Sequence, residues 1–128
     1  MRAPPDGHTL LLVDPTASIN ATLYEKLNYN FIRDIAPVAG IVLLPQVMVV
    51  HPSFSAQTVP EFIAYAKANP SKVNMASSGV GASSHLSGEL LKMMAGVNIV
   101  HVPYRGTPSA ITDMLGGQVQ VMFATCPR

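Results

Sequence analysis

Apolar residues in this chain come first as a short run at 9–13. From residue 38 onward, short runs alternate with stripes at helical spacing. The run at 9–13 has the length of a strand, 14–20 is polar, and 21–27 reads as a short helix. Residues 28–37 read as irregular, with Tyr29 and Phe31 pinning a loop to the body. Residues 38–50 read as extended and bent at Pro45, since proline cannot donate to a central ladder. Thr58-Val59-Pro60-Glu61 is a capping box, with the Thr hydroxyl taking an orphan N–H and Glu61 reaching back. Val59, Phe62, Ile63 and Ala66 then share one face, which predicts a helix over 59–69 that ends at Asn69-Pro70. A strand is predicted at 73–76, then a loop of small residues over 77–84. The next helix, 84–95, is marked by Leu86, Leu90, Met93 and Met94 and closed by Gly96. After a strand at 98–102, Thr107 reads as the N-cap and Pro108 as the first residue of a helix over 108–116. Gly116-Gly117 stops that helix in left-handed fashion, and a last strand follows at 119–123.

Strands alternating with helices make an α/β fold, with a mostly parallel sheet flanked by helices and right-handed crossovers. Strands that are apolar throughout fit a sheet covered on both faces. No closing helix follows 119–123, so the domain reads as incomplete, with the runs at 9–13 and 119–123 expected to be partly uncovered. The balance of 48% hydrophobic to 12% charged residues argues against disorder. A formal charge of +1 without any basic run argues against a nucleic-acid partner. The single cysteine, Cys126, excludes an internal disulfide. No stretch approaches the roughly 20 apolar residues of a membrane span. The opening Met1-Arg2-Ala3-Pro4-Pro5 leads into turn chemistry rather than a secretion signal.

The strongest candidate for chemistry is Ser77-Ser78-Gly79-Val80-Gly81-Ala82-Ser83-Ser84-His85. It lies between a strand and a helix, where open α/β sheets bind ligands. Small residues let a ligand approach the backbone, and helix N-terminal amides favour an anion. The loop lacks the third glycine of a dinucleotide fingerprint and the Gly-Lys-Ser/Thr of a phosphate loop. A tight turn whose serines only cap the helix fits the same residues. His85 begins the helix, either tying down its own loop or paired with Ser77, Ser78 or Ser84 as a nucleophile; no Gly-x-Ser-x-Gly elbow supports the second. His8, His51, His85 and His101 have no metal-ligand spacing. Tyr104-Arg105-Gly106-Thr107 is a second strand-to-helix loop, brought to the same sheet edge if the strands are parallel. There Arg105 can meet a carboxylate or simply be solvated. Met93, Met94 and Met114 read as packing. Glu61, Glu89 and Asp113 form no acid–base pair, so a binding site has support and an enzyme centre has none.

Several stretches together resemble a known family: Pro5-Asp6-Gly7-His8-Thr9-Leu10-Leu11, Arg33-Asp34-Ile35-Ala36-Pro37-Val38, residues 74–89, Val102-Pro103-Tyr104-Arg105-Gly106 and Leu115-Gly116-Gly117-Gln118-Val119. In this order and spacing they are similar to the Bug family, the TctC-like receptors of tripartite tricarboxylate transporters. The resemblance implies a type II periplasmic-binding-protein fold of two lobes closing on a small organic carboxylate. Residues 1–40 would be a partial first-lobe segment and 41–128 a second-lobe α/β domain truncated at its C-terminus. It implies ligand contacts from Ser77, Ser78, Gly79, Gly81, Ser83 and Ser84, with Tyr104 and Arg105 nearby and Ser18 and Asn20 on the first lobe; His85, in the first turn of the helix, joins them as a ligand-binding candidate. No cofactor is implied; the partners would be the transporter's membrane components, and the location of full-length members periplasmic. Members are more than twice as long, with a secretion signal and first-lobe segments that this chain lacks. Val80 and Ala124 stand where a small polar residue and an aspartate are common.

The expected function is therefore that of a solute receptor, or part of one, and not an enzyme. The alternatives are the ligand-sensing domain of a transcription regulator, a small serine hydrolase, or a truncated gene product without function.

Overall fold

A computed structural model describes residues 3–126. The chain forms two compact units, residues 1–41 and 42–128. The first contains one helix, α1 (Pro15–Leu23), and irregular chain. Asp14 caps it by accepting the Thr16 amide at 3.0 Å, and Pro15 supplies a preset φ at the first turn. The helix thus occupies the stretch expected to be polar loop and stops inside the 21–27 segment expected to be helical. A local cap and proline outweighed the weak apolar pattern further along. The run at 9–13 is no strand; Leu10, Leu11 and Leu12 are exposed, because no ladder partner takes up their backbone.

The second unit has the order β1 (Gln46–Val50), α2 (Val59–Ala68), β2 (Asn74–Ser77), α3 (Ser83–Ala95), β3 (Val100–Pro103), α4 (Thr107–Leu115) and β4 (Val121–Thr125). The sheet runs β1-β4-β2-β3. β2 pairs in parallel with β3 and with β4, whereas β1 runs antiparallel to β4, with Gln46 opposite Thr125 and Val50 opposite Val121. The sheet is therefore mixed: parallel within β3-β2-β4, with an antiparallel edge strand. Such an edge is common on α/β sheets.

Two apolar clusters cover the sheet. Met75, Val121, Ile99 and Val73 pack with Phe62 and Ala66 of α2, and half-buried Leu91 of α3 joins them. On the other side Ala76, Met122 and Val119 pack with Ala110 and Met114 of α4. Successive β2 and β4 residues divide between the clusters, as a period of two requires. Val119, Val121 and Met122 are therefore buried, against the expectation that this stretch is uncovered. Met114 is core as expected, but Met93 and Met94 are exposed, because α3 turns Gly88 and Leu91 inward instead.

The local signals hold with small shifts. The Thr58 hydroxyl accepts the Glu61 amide at 3.4 Å, and the Glu61 carboxylate reaches back one residue further than expected, to the Gln57 amide at 2.8 Å. Gly96 ends α3 in the left-handed region at φ 63°. Gly106, not Thr107, is the N-cap of α4, so Pro108 falls one residue further in.

Candidate functional site

Parallel pairing brings the C-terminal ends of β2 and β3 to one sheet edge, with Ser77 opposite Pro103. Loop 78–82 leaves β2 there and loop 104–106 leaves β3. The Tyr104 amide donates to the Ser77 carbonyl at 3.0 Å, which ties the loops together. Gly79 permits this path of the chain through its φ of +143°, a backbone conformation that residues with a side chain rarely adopt. Gly81 also has positive φ, +80°. The loop then enters α3, whose N-cap residue, Ala82, has no side chain able to accept a hydrogen bond. The amides of Ser83, Ser84 and His85 consequently have no acceptor among the described residues. They lie at the positive end of a 13-residue helix.

The serines are differently employed. Ser77 is fully buried; its hydroxyl lies 2.6 Å from His101 Nε2 and 3.2 Å from the Gly79 carbonyl. It braces the loop from below. Ser84, also buried, takes the Ser78 amide at 3.1 Å and shares a second bond of 3.1 Å with the Ser78 hydroxyl. Only one of those two hydroxyls need donate to the other, so one proton stays available. Ser83 Oγ accepts from Gln46 Nε2 at 2.6 Å and keeps its own proton for another acceptor. The Gln46 Oε1 atom accepts from Ser87 at 3.0 Å, so the first residue of β1 is clamped to the first turns of α3.

His85 Nδ1 accepts the Gly81 amide at 3.2 Å, so this histidine ties down its own loop. Its ring stacks on His101 at 4.0 Å between centroids. Burial, and then the charge of His85, lower the His101 pKa. Tyr104 donates its hydroxyl to Asp113 at 2.7 Å, and that bond, more than burial, pushes its pKa up to about 12. Arg105 is exposed, with no ion pair among the described residues. Ser18 and Asn20 lie on α1, in the first unit; the Ser18 hydroxyl donates to the Pro15 carbonyl at 2.8 Å.

Two concavities of the second unit lie elsewhere. One is lined by Met48, Phe54, Phe62 and neighbours, the other by Met48, Leu90, Leu91, Met94 and Phe123. Residues 77–85 line neither of them, although Gln46 and Ser87, which clamp the start of α3, border the second. No three His, Cys, Asp or Glu residues among those described could hold a metal ion, and no described helix is long and apolar enough to cross a membrane.

The model of the TctC family, "Tripartite tricarboxylate transporter family receptor", matches residues 1–128. The chain belongs to the TctC family. Among curated relatives of this TctC-family chain, BugT of Bordetella pertussis is 32% identical over 124 residues, covering 95% of this chain and 38% of BugT. A UPF0065 protein from the tcbD-tcbE intergenic region of Pseudomonas sp. is 36% identical over 122 residues, 95% of this chain and 36% of the relative. The chain thus spans little more than a third of these relatives' length. Of solved structures, "R. palustris Rpa4515 with adipate" superposes with a TM-score of 0.83 at 32% identity, covering 97% of this chain and 42% of that one. MatC from Rhodopseudomonas palustris with bound malate gives 0.75 at 29% identity, covering 84% and 36%. The expected fold class is borne out, since the neighbours include a periplasmic binding protein, BugD.

Two residues that shape the TctC-family loop escaped the sequence reading. Gln46 lies 37 positions from Ser83, and no local pattern links them. His101 was set aside for want of metal spacing, yet it meets both Ser77 and His85. Its position in a strand, two residues from the strand's end at Pro103, was the only available hint.

Proposed function

We propose that this chain forms one wall of the carboxylate site of an extracytoplasmic solute receptor, serving a tripartite tricarboxylate transporter in the periplasm. The observation that carries the reading is the uncapped N-terminus of α3. Three amides without acceptors stand at the sheet edge where two strand-to-helix loops meet. Relatives solved with adipate and malate indicate the ligand class, small organic carboxylates. Here the Ser83, Ser84 and His85 amides receive one carboxylate, the hydroxyl of Ser83 and one of the Ser78 and Ser84 pair add donors, and Arg105 supplies charge. Gly79 and Gly81 keep the approach open. Ser77 and Tyr104 shape the loops rather than touch the ligand. Binding rather than catalysis fits this surface, because the serine closest to a histidine nitrogen, Ser77, is buried.

Donors on one wall alone compete with water, so affinity for adipate or malate should be millimolar or weaker, about 4 kcal/mol or less. Titration of either dicarboxylate followed by amide NMR should move the signals of residues 78–85 and 105. Replacing Ser78 or Ser84 with Leu should remove those shifts while the remaining spectrum persists. Wild-type signals of residues 78–85 that do not respond to either dicarboxylate would mean that the loop is only a turn.

A further inference from the structure

The imidazole of His85 does not face outward like the amide of the same residue. Its Nδ1 accepts the Gly81 N–H at 3.2 Å. Only a ring without a proton on Nδ1 can do so, which puts the proton of the neutral ring on Nε2. That nitrogen lies 3.7 Å from Glu89 Oε1, the same oxygen that Lys92 holds at 2.9 Å. The opposite contact of the ring is the stacked His101, whose Nε2 is occupied with Ser77. Glu89 and Lys92 on α3 and His101 on β3 are therefore the titratable groups about this ring among the described residues.

We propose that His85 is a positioning residue for the carboxylate loop, an acceptor that holds Gly81 in place only while its ring is neutral, so that the loop rearranges on protonation. A protonated ring carries N–H on both nitrogens. Its Nδ1–H then confronts the Gly81 N–H, two donors without an acceptor, and residues 79–82 must move to separate them. His101 cannot share the charge cheaply, since burial and the neighbouring imidazole hold it toward its neutral form. The consequence lands on the carboxylate site because Gly81 and the Ser83, Ser84 and His85 amides belong to one turn of chain. This inference rests on the proposed function only for the loop's purpose; its geometry can be tested without ligand.

The test is a titration from about pH 8 to about pH 5, the range in which imidazoles change charge, on wild type, His85→Asn and His85→Leu. Asparagine places its side-chain oxygen near the former Nδ1, an acceptor at every pH. In wild type the Gly81 amide signal should move together with the His85 ring signals. Its hydrogen exchange, corrected for intrinsic pH dependence, should accelerate at least about tenfold. His85→Asn should hold the Gly81 signal level throughout, and His85→Leu should resemble acidified wild type even at high pH. A Gly81 amide that stays put while the His85 ring protonates overturns the proposal, and needs no variant to fold. So does an Asn variant that titrates like wild type. Adipate added at about pH 8 separates the two readings. If neither wild type nor His85→Asn responds to adipate or malate while the pH effect persists, the carboxylate reading fails and the latch stands.

Discussion

Replacing Gly88 with alanine tests how closely α3 lies on the sheet. Gly88 is buried on the inner face of α3, and a Cβ there would overlap the sulfur and terminal methyl of Met75. Met75 on β2 is itself fully buried among Phe62, Val73, Ile99 and Val121, so its side chain has no free space to enter. Two effects oppose each other. Alanine improves helix propensity by about 1 kcal/mol. Forcing a methyl into a filled core costs about 1–3 kcal/mol, including a displaced methionine rotamer at roughly 0.5–1.5. Overpacking should offset the propensity gain or outweigh it, with a net loss of up to about 2 kcal/mol in urea unfolding followed by circular dichroism. The decisive measurement is a double-mutant cycle with Met75→Ala, which alone should cost about 2–5 kcal/mol. In the double variant the new methyl partly fills the cavity, so the combined loss should fall short of the sum by at least about 1 kcal/mol. A Gly88→Ala protein more stable than wild type, or strict additivity, would refute the close approach of α3 to β2. That approach sets where the α3 N-terminus stands relative to the end of β2.

Two further outcomes are expected. Tyr104 should ionise at about 12, and replacing Asp113 with alanine should return it toward 10.0. Because the folded-state value is raised, the contribution is complete below the ordinary tyrosine value and is lost as pH rises through about 12. An alkaline absorbance titration showing no Asp113 dependence would argue against the bond. Thr58→Ala should cost about 1 kcal/mol by loss of the α2 cap, and Thr58→Asp should keep most of it; equal stability of the Ala variant and wild type would count against the cap.

Features settled within three or four residues could be read directly. The Thr58–Glu61 cap, the Gly96 stop and the strand–helix alternation after residue 38 depend on contacts between neighbours, so composition at fixed offsets reveals them. The loop at 77–85 was legible for the same reason: small residues between a strand and a helix imply exposed amides, whatever the remainder of the chain does. Pairing was not legible. The run at 9–13 is as apolar as a strand, but a strand exists only with a partner, and nothing local says whether one is present. The antiparallel course of β1 likewise depends on β4, more than seventy residues away. Which helix face turns inward was decided by the space above Met75, which admits Gly88 and leaves Met93 and Met94 outside. The site divides along the same line. Its amides follow from local chain geometry, whereas the Gln46 clamp and the His85–His101 stack exist only because the folded sheet brings distant residues together.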